Sequence, residues 1–353
     1  MRSIRGLLIT MLLLIASSFY LIQLSIDKNK TTNLIVDELP NFPLIKPFEQ
    51  SKPFNDLFHG NMFDLMDKTI DELEDDLQRK ADDVLLSAYG YEWHVYDNDE
   101  NNYVQVGVDD GIVKTVFATG NELSSEPFTI GTPYEEIEEL FPFKDSITYE
   151  EGASFYTFIL NDSEIQSHPL IKISDDLFIQ CYFDTHTEEL SSVRLITGEI
   201  LLRQRFYEME YRGNLPEEPS YSDEEWEEIN KGMEQQIFSI SNIYRNRFEL
   251  KPLIYDENVS DVALLHSKDM VEQQYFSHER PDGTGLKERL SNGDILYLMA
   301  GENIAAYHTD APAAVEGWLN SEGHREALLH KEYTHIGVGV YEFHYTQNFI
   351  KKF

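Results

Sequence analysis

WLNSEGHREALL, residues 318–329, places two ionisable side chains, Glu322 and His324, around a glycine. Upstream lie AGENIA (300–305), with Glu302 beside Gly301, and YFSH (275–278), which ends in His278. Residue type and spacing alone say only that two histidines and two acids lie near turns, because a lone His or Glu beside glycine is usually a turn or cap residue. HSKDM (266–270), YTHIGVGV (333–340) and YTQNF (345–349) complete an ordered series of six motifs.

Around these motifs the pattern is helical, then extended. Ser222 with Glu225 three residues on is a capping box, and the helix it starts carries Met233, Ile237, Ile240 and Tyr244 on one face. A second helix begins after Asp256 or Asn258, with Val259, Ala263, His266 and Met270 on one stripe. His266 therefore reads as a buried, hydrogen-bonded core residue. HIGVGVYEF and YTQNF read as short strands. The GVGV glycines fit a strand packed closely against its neighbours, and since no helix follows them they form no phosphate loop. Ser277 and Ser321 adjoin the histidines, but near neighbours rarely reach nucleophile–base geometry. His324 and His330 lack the His-Glu-x-x-His spacing of metalloproteases.

A hinge, GNLPEEPSYS (213–222), separates this third from a mixed helix and strand region. Residues 62–80 are expected to form one amphipathic helix, with Phe63, Met66, Ile70, Leu73 and Leu77 at helical spacing. YEWHVY, NYVQVGV and GIVKTVFA read as strands. Asp110-Gly111 is a hairpin signal, and Val104, Val106 and Val108 fit a half-buried strand. The order then repeats. Gly131-Thr132-Pro133 opens the helix TPYEEIEELF, followed by the strands ASFYTFIL, DLFIQCYFD and LSSVRLIT. VQVGVDDGIVKTVFA and IQCYFDTHTEELSSVRLI are matching hairpins, so a duplicated α+β unit is expected. His94, His168 and His186 are scattered through it without a catalytic pattern.

The chain opens with Arg2 and Arg5 ahead of an apolar run from Leu7 to about Ile26. Residues 1–26 are expected to be a signal anchor with its N-terminus inside, the alternative being a cleaved signal peptide at the small residues Ala16 and Ser18. Residues 27–59, with Pro40, Pro43, Pro47 and Pro53, read as a linker. The folded remainder lies outside the cell, membrane-attached or secreted. The formal net charge of −36 disfavours nucleic acid and anionic polymers as partners and is compatible with cations or neutral polymers. A single cysteine, Cys181 in an apolar run, forbids an internal disulfide and reads as a buried hydrophobe, ordinary for a Gram-positive exported protein.

The six-motif series resembles the bacterial form of the CAP superfamily, named for cysteine-rich secretory, antigen-five and pathogenesis-related proteins, over residues 221–353. SAYGYEWHVY, YVQVGVDDGIVKTVFATG and CYFDTHTEELSSV resemble the N-terminal domain found beside CAP domains in envelope proteins of spore-forming bacteria, over residues 60–212, although the first copy lacks a Gly-x-Pro opening. The resemblance implies an α+β protein with a C-terminal α-β-α sandwich of CAP (SCP-like) type. It also implies a cleft tetrad. His278 matches the first histidine, Glu302 the first glutamate and His324 the second histidine, while Glu322 is taken as the second acid. Two neutral imidazoles, His278 and His324, suit zinc or a related cation with open positions for water, and nearby carboxylates would orient them.

Three functions follow. The favoured one is a ligand-binding module of the cell envelope, its cleft engaging a wall fragment, peptide, lipid or cation. The second is a hydrolase, metal-assisted or based on the His/Glu set, acting on peptide or wall polymer. Against it stands the lack of an evident nucleophile. The third is a structural protein with a vestigial cleft, whose N-terminal domain binds a protein partner. No cofactor other than zinc is suggested.

Overall fold

Asp110 and Gly111 both adopt positive φ, 48° and 76°, in the turn expected from their sequence. The computed structural model describes residues 61–97, 101–120 and 126–353. The anchor and linker expectations for residues 1–59 lie outside the described residues, among which no helix is long and apolar enough to cross a membrane.

In chain order the strands of this half are β1 (Asp83–Leu86), β2 (Glu92–Tyr96), β3 (Asn102–Asp109), β4 (Ile112–Gly120), β5 (Ser146–Glu151), β6 (Ser154–Ile159), β7 (Leu170–Lys172), β8 (Leu177–Asp184), β9 (Glu189–Thr197) and β10 (Glu208–Arg212). Seven of them form one sheet in the order β1-β2-β3-β4-β9-β8-β7, and β10-β6-β5 form a second. The helices are α1 (Ile70–Leu77), α2 (Tyr134–Leu140), α3 (Asp162–Ser167) and α4 (Gly198–Gln204).

The duplication is visible in hydrogen bonds. The chain before α1 bridges to β4 at Thr69 and Ile112, and the chain before α2 bridges to β9 at Pro133 and Glu189. Each hairpin shifts register at a corresponding place, between Gly107 and Val108 in one and between Tyr182 and Phe183 in the other. Gln105 and Gln180 also correspond, and each accepts a hydrogen bond at 2.7 Å from a buried tyrosine, Tyr103 or Tyr182. β4 and β9 pair antiparallel, so the copies meet edge to edge.

Three expectations are corrected. Residues 62–80 form no single helix. A 3₁₀ turn at Met62–Leu65 is followed by α1, because the intervening chain hydrogen-bonds to β4 and Asp67 turns left-handed at φ 61°. Thr69 and Glu72 then form a capping box that restarts the helix. ASFYTFIL (β6) leaves the main sheet for the second one, pairing with β5 and β10, and the short β7 takes its place beside β8. β3 is buried on both faces rather than one.

The C-terminal half is a three-layer α-β-α sandwich. Its sheet runs β11-β13-β14-β12, from β11 (Ile254–Tyr255), β12 (Met299–Ala306), β13 (His335–Tyr341) and β14 (His344–Lys351). The helices are α5 (Asp223–Arg247), α6 (Glu257–Gln273), α7 (Leu286–Asn292), α8 (Ala311–Leu319) and α9 (Glu322–Leu328). Ser222 caps α5 and Asp256 caps α6. The GVGV glycines lie where α6 touches the sheet. A Cβ on Gly337 would come within 2.2 Å of the Ser260 nitrogen, and one on Gly339 within 1.9 Å of the Leu264 nitrogen. Bare backbone is thus required for the helix to settle on β13.

One hydrophobic core runs through both halves. Tyr91, Trp93, Phe117 and Tyr182 from the N-terminal sheet join Ile229, Ile237, Ile240 and Tyr244 of α5 and Trp318 of α8. Buried polar groups cross the same boundary. Arg194 of β9 pairs with Asp310, the N-cap of α8, at 2.8 Å, and Glu316 accepts hydrogen bonds from Ser191, Ser192 and Tyr244. Cys181 is buried in the N-terminal half, and burial pushes its thiol pKa well up.

Candidate functional site

The site forms along β12, the edge strand of the C-terminal sheet. Strand side chains alternate between faces, so adjacent residues on β12 serve opposite sides. Glu302 goes one way and Asn303 the other, and each supports one of the two histidines.

On the first side, α6 ends at Gln274 in the left-handed region, φ 55°, and the chain turns to carry His278 over β12. The Nδ1–H of His278 donates to Glu302 Oε1 at 2.9 Å. Arg289, from α7, donates to Glu302 Oε2 and, at 2.8 Å, to the main-chain oxygen of His278. These three contacts close a ring. The Glu302 and Arg289 side chains are 3% and 2% exposed, while that of His278 is 54% exposed. A buried carboxylate therefore fixes the orientation of an accessible imidazole and leaves Nε2 facing out as an acceptor. Beneath it His266 is fully buried, with Nε2 3.1 Å from the Ser277 oxygen, as its place on the α6 stripe implied. Burial pulls its pKa down to about 4.

On the second side, His324 sits in the first turn of α9 with Nδ1 2.9 Å from Ser321 Oγ. Asn303 donates to the His324 main-chain oxygen at 3.0 Å and to Gln347 Oε1 at 3.2 Å. Burial, and next the neighbouring His278, hold the His324 pKa below its ordinary value. The two rings lie 6.5 Å apart between centroids.

Three of the four residues expected in the cleft thus converge: His278, Glu302 and His324. Glu322 stands exposed at the start of α9, outside this hydrogen-bond network. Glu302 itself lies within a strand, not at a turn, and its neighbour Gly301 is needed because a Cβ there would come within 2.2 Å of the Tyr333 hydroxyl. The Ser321 contact departs from expectation, since three residues of separation across a helix start bring hydroxyl and imidazole together. Ser277 instead accepts from the Glu279 amide at 3.1 Å. Arg289 escaped the sequence reading, yet it falls on the apolar stripe of α7 with Leu286 and Leu290, where an arginine needs a buried anion. His308 was also missed. It packs against Gly317, where a Cβ would approach to 2.7 Å, and burial lowers its pKa.

For a cation, the donors are the Nε2 atoms of His278 and His324. Among the described residues, no group of three or more His, Cys, Asp or Glu side chains could hold a metal ion. Two imidazoles without a third protein ligand fit a weakly held, exchangeable cation and not a closed structural zinc site.

A CAP-type sandwich with two histidines brought together beside its edge strand, behind a duplicated α+β domain, defines the class: the chain belongs to the cysteine-rich secretory protein (CAP) family, whose model matches residues 238–351, with a CAP-associated N-terminal domain matching residues 66–207. Among its relatives is the membrane protein YlbC of Bacillus subtilis, 41% identical over 266 residues, which are 75% of this chain and 77% of that one. YkwD of the same organism is 39% identical over 121 residues, 34% of this chain and 47% of the relative. The crystal structure of an extracellular SCP-domain protein from Bacillus anthracis superposes with TM-score 0.79 at 39% identity, covering 86% of this chain and all (100%) of that one. A cysteine-rich secretory protein from Staphylococcus aureus shares the fold with TM-score 0.74 at 24% identity, covering 85% and 95% of the two chains.

Proposed function

We propose that this is an extracellular, membrane-attached binding protein whose cleft along β12 captures a ligand of the cell envelope through His278 and His324. The observation that carries the reading is the convergence of the two imidazoles, one of them held by a buried carboxylate. Taking the Glu302–Arg289 pair out of water costs several kcal/mol, and well-packed apolar residues would hold the fold at least as well. That cost favours a working cleft over a vestigial one. The relatives' descriptions, one a membrane protein and one extracellular, support the same side of the membrane for this chain, with residues 1–26 as the anchor.

An accepting Nε2 on His278, joined by that of His324 when its Nδ1–H donates to Ser321, invites a donor group or a cation. A cation bound there would supply a positive centre for carbonyl or carboxylate oxygens of a peptide or wall fragment, inside a molecule whose net charge of −36 otherwise repels anions. The chain's own residues orient the rings, hold the His324 pKa below its ordinary value and leave His278 open to solvent.

A second reading, hydrolysis, draws on the 2.9 Å contact between Ser321 and His324. Against it, the serine itself occupies Nδ1, the nitrogen that an orienting acid holds in a nucleophile–base–acid arrangement. Zinc titration by calorimetry on the full chain tests the first reading. Binding lost in the His278→Ala/His324→Ala double variant is expected, whereas binding unchanged in that variant would sink the metal role. Turnover of a wall peptide that disappears with Ser321→Ala would favour hydrolysis.

A further inference from the structure

We infer that the cleft is built by both domains, and that Asp184 of the N-terminal domain is a positioning residue for His324. The β8–β9 hairpin reaches across to the start of α9 and holds that segment at two points. The Asp184 carboxylate takes a bidentate pair from Arg325, Nη1 to Oδ1 at 2.9 Å and Nη2 to Oδ2 at 2.8 Å. Its side chain is only 2% exposed, and the His186 amide, at 3.0 Å, fixes it from its own side. Arg325 also donates to the Leu319 oxygen at 2.9 Å, tying α9 back to the end of α8. Just before α9 begins, Asn320 is clasped by the same hairpin. Its Oδ1 accepts from the Thr185 amide and hydroxyl at 2.7 and 2.8 Å, and its Nδ2 donates to the Phe183 oxygen at 2.9 Å.

Residues 183–185 therefore grip both Asn320 and Arg325, and Ser321 and His324 lie between those two points. Other contacts already hold the domains together at α8, through Arg194 with Asp310 and through Glu316. The hairpin tip is directed instead at the short segment that aims His324. A displacement of that tip is transmitted to one wall of the cleft, whereas His278 is tied within the C-terminal half by Glu302 and Arg289. The inference rests on the proposed function only in counting His324 as a cleft residue.

The test uses the full chain with ¹³C-labelled histidines, the His324 ring resonance being assigned by its loss in His324→Gln, together with amide hydrogen exchange. In Asp184→Ala, amides of residues 321–329 are expected to exchange about tenfold faster or more. The His324 resonance moves or broadens and that of His278 stays in place. Asp184→Asn, which keeps one acceptor for Arg325, has a smaller effect. Tyr89→Phe removes a different interdomain bond, 2.8 Å to the Thr309 oxygen, and leaves the His324 signals unchanged. Unaltered exchange and resonance in Asp184→Ala would overturn the inference, as would an equal response to Tyr89→Phe. If Asp184→Ala fails to fold, Asn320→Ala is read by the same criteria. None of these readouts uses zinc, so a failed zinc titration sinks the metal role of the cleft without touching this result.

Discussion

The two walls of the site, one around each histidine, are held in different ways. His278 is fixed by Glu302 and Arg289, both from its own domain and both nearly inaccessible to water. His324 is fixed by Ser321 beside it and, through Asn320 and Arg325, by a hairpin from the other domain. The first wall is self-sufficient, its charges buried and closed into a ring. The second borrows its support, so its geometry depends on how the domains dock.

The largest effect is expected from breaking the first wall. Glu302→Ala leaves the Arg289 guanidinium buried without its partner and should cost about 3 to 5 kcal/mol in a urea unfolding curve. Acid comes next and acts on both domains. Burial lowers the pKa of His168 in the N-terminal domain and of His266 under the first wall from 6.5 to about 4. The unfolded chain takes up these protons near pH 6.5 and the folded chain does not. Stability contributed by each neutral imidazole is therefore full above pH 6.5 and falls as pH drops toward 4, by about 1.4 kcal/mol per pH unit for each histidine and at most roughly 3.5 kcal/mol. His266→Leu should reduce the slope of midpoint against pH in that window and leave it unchanged above it.

Breaking the borrowed wall costs less. Asp184→Ala removes charge-assisted hydrogen bonds worth about 2 kcal/mol by the same unfolding measurement. The smallest effect is assigned to Glu322→Gln, which should leave the urea midpoint where it is because the side chain is exposed. If that variant nevertheless weakens zinc binding, Glu322 acts on the cleft from its rim.

Much of this arrangement was legible in the chain. Ser222 and Asp256 announced the two long helices through local capping chemistry, and Asp110-Gly111 announced a hairpin through its need for positive φ. The internal repeat was legible because the two hairpins keep matching residues, Gln105 and Gln180 among them. What escaped is non-local. The departure of β6 to a second sheet depends on β10, about fifty residues further along the chain. The break at Asp67 depends on hydrogen bonds to β4. Asp184 closes the strand DLFIQCYFD, and nothing near it in sequence tells that Arg325 will meet it.

That last contact has a kinetic side. His278 and Glu302 are 24 residues apart, whereas Asp184 and Arg325 are separated by 141. Closing the longer loop costs more chain entropy, and contacts of such range form late when a chain folds. The wall around His278 can assemble as soon as its own domain collapses. The wall around His324 also needs the hairpin of the other domain, so its support is expected to form only once the two domains dock.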